Sequence, residues 1–139
     1  MRPIPALLAI LVPCVLAADE PKPSTPAMKE KLHAVIRGQL EAFRKDDYAA
    51  AYKFAAAGIR EQFPLAAFET MVKSNYPAIA KSEEAVFGLT LDDGEKAAVN
   101  VRVVGPKHES VSYQYLLERD GDDWRIGGVY VLRQDEKPI

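Results

Sequence analysis

Lys96-Ala97-Ala98-Val99-Asn100-Val101-Arg102-Val103-Val104 decides the fold. Ala97, Val99, Val101 and Val103 fall on one side of an extended chain, and Ala98, Asn100 and Arg102 on the other. Strict alternation of this kind marks a strand with one buried face. The same period recurs on both sides. Asp92-Asp93-Gly94 is a turn that separates this strand from an earlier one over residues 82–91. Gly105-Pro106 turns the chain again, and Val111, Tyr113, Tyr115 and Leu117 then alternate against Ser112, Gln114 and Leu116. After a third turn, Asp120-Gly121-Asp122, residues 124–133 read as the last strand. Its Gly127-Gly128 pair predicts a bulge, which bends a strand and can reverse its inside/outside phase.

Upstream the period is helical. Thr25-Pro26 predicts a helix start, with a hydroxyl cap followed by a proline whose missing N–H costs nothing there. Leu32, Val35, Ile36, Leu40 and Phe43 define one apolar face over residues 26–45, while Glu30, His33, Arg37, Glu41 and Arg44 fall on the other. Asp47 caps a second helix carrying Tyr48, Ala51, Tyr52 and Phe54, which the reading ends at Gly58. Residues 59–63 read as a tight connector. Pro64 opens a third helix with Leu65, Phe68, Met71 and Val72, closed by Asn75-Tyr76-Pro77.

Four strands on short turns make an antiparallel meander, and three preceding helices must bury their apolar faces on one side of it. The expected fold is α+β: three N-terminal helices on a curved four-stranded antiparallel sheet, in a single domain over residues 26–135. Residues 18–25, with Pro21, Lys22, Pro23 and Ser24, read as a solvated extended tether.

Residues 1–17 read as a secretory signal peptide. Arg2 supplies a positive start, no charge follows from Pro3 to Ala18, and Val15-Leu16-Ala17 fits a cleavage site after Ala17. The apolar stretch is shorter than the ~20 residues of a spanning helix. Two other readings are open: an uncleaved anchor, and lipidation of Cys14, where Pro13 occupies a position that wants a small residue. These place the protein in the periplasm or outside the cell, with a membrane contact only through the N-terminus.

Composition narrows the chemistry. The chain has 139 residues, 48% hydrophobic and 27% charged, with a net charge of −2 and one cysteine. That describes one folded domain, too apolar for disorder and too acidic for a basic nucleic-acid surface. One cysteine makes no intrachain disulfide and no cysteine-rich zinc site. His33 and His108 lack a second ligand at metal-binding spacing. No serine sits in a G-x-S-x-G elbow. No metal and no cofactor is expected.

Several segments carry a resemblance: Gln39-Leu40-Glu41-Ala42-Phe43-Arg44-Lys45-Asp46-Asp47, Tyr48-Ala49-Ala50-Ala51-Tyr52, Gly58-Ile59-Arg60-Glu61-Gln62-Phe63, Phe68-Glu69-Thr70-Met71-Val72, Tyr76-Pro77, and Trp124-Arg125-Ile126-Gly127-Gly128-Val129. Their order resembles the nuclear transport factor 2-like superfamily, the cone-shaped cystatin-like fold. They resemble more closely a bacterial family, domain-of-unknown-function family 4864. The resemblance implies a pocket between helices and sheet and a homodimer through the sheet face. It carries over no catalytic residue.

Four residues are candidates for ligand binding. Arg60 either clamps a carboxylate at the pocket mouth or pairs with Asp46 or Asp47. Tyr113 and Tyr115 are strand tyrosines whose phenols face either the pocket or a filled core. Arg102 lines either a polar surface or solvent. The expected function is a non-catalytic binding or interaction module for a small molecule or an envelope protein. The alternative is a pocket enzyme of isomerase or dehydratase type, using a tyrosine and a carboxylate. The central strand positions offer no carboxylate for that base, and Asp92, Asp93, Asp120, Asp122 and Asp123 sit in turns.

Overall fold

A computed structural model of the chain describes residues 20–135. The expected signal peptide, with Cys14, lies outside the described residues. The elements run β1 (Lys22–Pro23), α1 (Pro26–Arg44), α2 (Tyr48–Lys53), α3 (Ala57–Gln62), α4 (Leu65–Asn75), α5 (Pro77–Ala80), β2 (Glu84–Asp92), β3 (Lys96–Val104), β4 (Ser110–Asp120) and β5 (Asp123–Asp135). The architecture is α+β, with one antiparallel sheet in the order β1-β2-β3-β4-β5.

The described residues thus hold five helices and five strands, against an expectation of three and four. Each extra element has a tertiary cause. Lys22 and Pro23, read as part of a solvated tether, pair with Asp92 and Leu91 at the end of β2. Ser24 clinches that pairing: its N–H donates to Thr90 O at 2.9 Å and its Oγ to Asp92 Oδ1 at 2.6 Å. The second helix ends at Lys53 rather than Gly58, because β5 captures the chain that follows. Ile126 N–H donates to Phe54 O and Ala56 N–H to Ile126 O, both at 2.8 Å. Gly58 then lies inside α3, the segment read as a connector. Pro77 ends α4 as expected and immediately starts α5 from its first position.

The local signals act where they were read. Thr25 Oγ1 accepts from Met28 N–H at 3.2 Å and Asp47 Oδ1 from Ala50 N–H at 3.1 Å, capping α1 and α2. Asp46 breaks the chain between them in a left-handed conformation, at φ 58°, which a short polar side chain tolerates. Gly94 and Gly121 take positive φ in the hairpin turns.

Helix α1 lies across the sheet and buries Leu32, Ile36, Leu40 and Phe43. They meet Val99, Val101 and Val103 of β3, Tyr113, Tyr115 and Leu117 of β4, and Trp124 and Ile126 of β5 in one core. Each large side chain taken from water there stabilises the fold by roughly 1.5–3 kcal/mol. Gly38 lets Phe54 close on α1, since a Cβ at that position would sit 2.7 Å from its ring.

Strand β5 slips against β4 twice, between Ser112 and Tyr113 and between Leu116 and Leu117. The second slip places the expected bulge at Gly127, so Ile126 and Val129, three residues apart, both turn toward the helices opposite Leu117 and Tyr115. The outer sheet face carries exposed Val86 and Leu116. The register separates them by a polar row, Asn100–Gln114–Tyr130.

Candidate functional site

The helices do not fill the space above the far end of the sheet. A half-open cavity of about 380 Å³ lies there, within the roughly 300–1,000 Å³ range of small-ligand sites. Its walls are Gln39 and Phe43 of α1, Ile59 of α3, Phe68 and Met71 of α4, Tyr115 of β4 and the bulged stretch of β5 from Ile126 to Val129. The bulge contributes directly, because the two glycines put no side chain into this wall. Tyr76, Asn75, Gln62 and Tyr130 complete the lining, with Tyr130 more than half exposed.

Local hydrogen bonds hold these walls. The hydroxyl of Tyr52 donates toward Phe63 O at 2.6 Å and Arg60 O at 3.0 Å, tying the C-terminal end of α3 back to α2. Tyr76 Oη donates to Val129 O at 3.0 Å and pins α4 to the exposed edge of β5. Gln39, a buried amide on the apolar face of α1, donates from Nε2 to Ala51 O at 3.1 Å.

Tyr115 is the exception. It is 0% exposed, and its hydroxyl has no hydrogen-bond partner among the described residues. A buried hydroxyl left unpaired costs about 1–3 kcal/mol. Burial, with smaller contributions from Tyr113 and Tyr76, pushes its pKa far up, so the phenol keeps its proton. The cavity lining includes no Asp, Glu, His, Lys, Arg or Cys. It is a neutral, mostly apolar chamber.

Of the four residues singled out in the sequence, only Tyr115 lines this cavity. Tyr113 is buried one pleat away and packs on Tyr76, ring centroids 6.1 Å apart. Burial pushes its pKa up to about 12, with Tyr76 next in effect. Arg60 is exposed on α3, and the two aspartates considered for it are engaged elsewhere: Asp46 with Lys81 Nζ at 2.9 Å, Asp47 with the α2 cap. Arg102 lies on the opposite face of the sheet, where a guanidinium nitrogen donates to Ser110 Oγ at 3.4 Å. It borders a shallow hollow there with Asn100 and Ser112.

Gln39 and Tyr76 were not singled out. Gln39 did leave a trace, as a polar residue between Ile36 and Leu40 on an apolar helix face. Tyr76 left none, because its use depends on where β5 ends up. His33, read on the charged face of α1, instead stacks on Phe87 of β2. Among the described residues no group of three metal-ligating side chains occurs, and no helix is long and apolar enough to cross a membrane.

Comparison with curated proteins and with solved structures gives no match. A family model does match. It covers residues 25–139, from the N-cap of α1 onward, and so takes in every wall of the cavity. The chain belongs to the family described as domain of unknown function (DUF4864).

Proposed function

We propose that this protein is a non-catalytic binding module that holds a small molecule in the cavity between its helices and its sheet. The observation that carries this reading is the half-open cavity of about 380 Å³, lined without any Asp, Glu, His, Lys, Arg or Cys. A proton-transfer enzyme needs a base within hydrogen-bond reach of its substrate. The lining holds no carboxylate and no histidine, which favours binding over the isomerase or dehydratase alternative. The bulged, helix-covered sheet supports the cone-shaped, nuclear transport factor 2-like assignment.

The same proposal places the module in the periplasm or outside the cell, with residues 1–17 as a cleaved signal peptide. Among the described residues, strand pairing begins at Lys22 of β1, downstream of a cleavage after Ala17.

Native mass spectrometry of the protein recovered from its own compartment tests the reading. The expected spectrum shows a retained uncharged small molecule, or saturable one-to-one uptake of the neutral naphthyl ketone dye prodan. Bare protein that takes up no dye overturns it. The same spectrum reads whether two copies pair through the outer sheet face, as the resemblance implies.

A further inference from the structure

We propose that the hollow on the outer face of the sheet is a binding site for a phosphate group, free or carried as a monoester, held between Arg102 and Arg133.

The hollow measures about 350 Å³ and is separate from the cavity under the helices. One register row crosses it: Val86 of β2, Arg102 of β3, Ser112 of β4 and Arg133 of β5 stand opposite one another in turn. Neighbouring strands lie about 4.8 Å apart, so the backbones of the two arginines are about 10 Å apart with the serine between them. Two arginine side chains can close that span over Ser112.

The backbone is irregular on both sides of this row. Tyr130 stands opposite Gln114 on the outer face, and plain alternation from it would aim residue 133 at the helices. The slip between Ser112 and Tyr113 instead sets Arg133 opposite Ser112, on the face of Arg102. Bulges recur next to active sites, where they re-aim a side chain in this way. Strand β2 is irregular at the same level, between Phe87 and Thr90. Gly88 there leaves the hollow open beside Asn100.

The hollow concentrates donors and positive charge. Its lining holds no Asp and no Glu. Asn100 and Ser112 complete its polar lining, and neither side chain is hydrogen-bonded to another described residue. Arg102 makes one bond, to Ser110 Oγ at 3.4 Å, and a guanidinium has further N–H donors to give. The next row, Glu84–Val104–Ser110–Asp135, carries two acidic residues. Both stand outside the lining, and no ion pair joins Glu84 to Arg102. On a chain of net charge −2, two guanidinium groups around an acid-free hollow focus the field there.

The donor set selects the ligand. Guanidinium forks match the oxygens of carboxylates and phosphates. A carboxylate is filled by one fork and neutralises one arginine. A phosphate monoester carries about −1.5 to −2 at pH 7 and three strong acceptor oxygens. It can accept from both arginines and from Ser112 or Asn100 at once. Exposed Val86 and Leu132 border the hollow and offer an apolar surface to the organic part of an ester.

Calorimetric titration of the full chain in about 0.15 M salt, where long-range attraction is screened, tests the site with phenyl phosphate, inorganic phosphate and benzoate. Phenyl phosphate is expected to bind saturably, one to one, and at least about tenfold more tightly than benzoate. Arg102→Gln and Arg133→Gln should each weaken it at least about tenfold. Arg60→Gln, at an exposed arginine of α3, should leave it unchanged. All three arginines are exposed, so the variants keep the core intact. Inorganic phosphate binding as tightly as the ester assigns the site to the free ion, and weaker binding assigns it to the monoester; either supports the proposal. No saturable uptake of either phosphate, benzoate binding as tightly as phenyl phosphate, unchanged affinity in both hollow variants, or an equal loss in Arg60→Gln overturns it. None of these results bears on the cavity under the helices.

Discussion

The imidazole of His33 lies flat on the ring of Phe87, centroids 4.2 Å apart and planes 9° from parallel. Its Nε2 is 2.9 Å from Thr90 Oγ1. The threonine hydroxyl donates its own proton to Gly88 O at 3.0 Å, so the histidine nitrogen is the donor. Burial first, then the Arg37 guanidinium and Lys29, hold the His33 pKa below its ordinary value, and Glu30 opposes them only in part. The unfolded chain therefore binds this proton more readily than the folded one. The contribution of His33 is fully present above the ordinary histidine pKa and is lost as pH falls through it toward the lower folded value. The urea midpoint is expected to drop between about pH 7.5 and about pH 5.5, and His33→Gln should flatten part of that drop. Identical pH slopes in the two proteins would remove His33 as the cause.

Two tyrosines make opposite stability predictions. Tyr76→Phe leaves the Val129 carbonyl without its donor and should cost about 1 kcal/mol. Tyr115→Phe removes a hydroxyl that nothing in the fold satisfies, so it should be neutral or stabilising by up to about 1 kcal/mol. Urea midpoints are expected in the order Tyr115→Phe, wild type, Tyr76→Phe. A Tyr115→Phe protein less stable than Tyr76→Phe contradicts the hydrogen-bond assignment of both.

The Asp47 cap stands at the only entrance to a six-residue helix. Asp47→Ala should cost about 1 kcal/mol, and Asp47→Asn, which keeps the acceptor oxygen, should recover most of it. An unchanged denaturation midpoint in the alanine variant counts against the cap.

Export leaves a signature in mass. Protein collected from the compartment in which it works should begin at Ala18. A mass that retains Met1 rejects cleavage, and a mass that begins at an acylated Cys14 selects the lipid anchor instead.

What was legible in the chain was local. The alternation from Lys96 to Val104 coincides with β3, because side chains that point alternately to core and solvent need no distant information to be read. The Gly127-Gly128 pair announced its bulge, and Thr25 and Asp47 announced their caps, by the same kind of short-range chemistry. The errors lie where one segment is captured by another. Nothing near Lys53 says that Phe54 and Ala56 will bond to Ile126, far downstream in the chain. A two-residue strand such as Lys22–Pro23 is too short to carry a period. The candidate site was half visible for the same reason. Spacing put Tyr113 and Tyr115 on one face correctly, yet which of them borders a cavity depends on α4, α3 and the bulge together. Arg60 and Arg102 drew attention as charges, and the cavity has none.

Strand β5 spans 13 residues against the 11 of β4, its partner along the whole length. A rail longer than the one beside it has to arc outward, and the cavity lies against the bulge at Gly127, one of the two places where the surplus is taken up. The capacity of the chamber is thereby written as a difference in length between neighbouring strands, and only secondarily in the size of the residues that line it. Deleting Gly127 would keep every other partner along β5 in place while shortening the arc. Descendants of this fold have a route to a shallower or deeper chamber that passes through single-residue insertions and deletions at one strand edge, with the lining chemistry inherited intact.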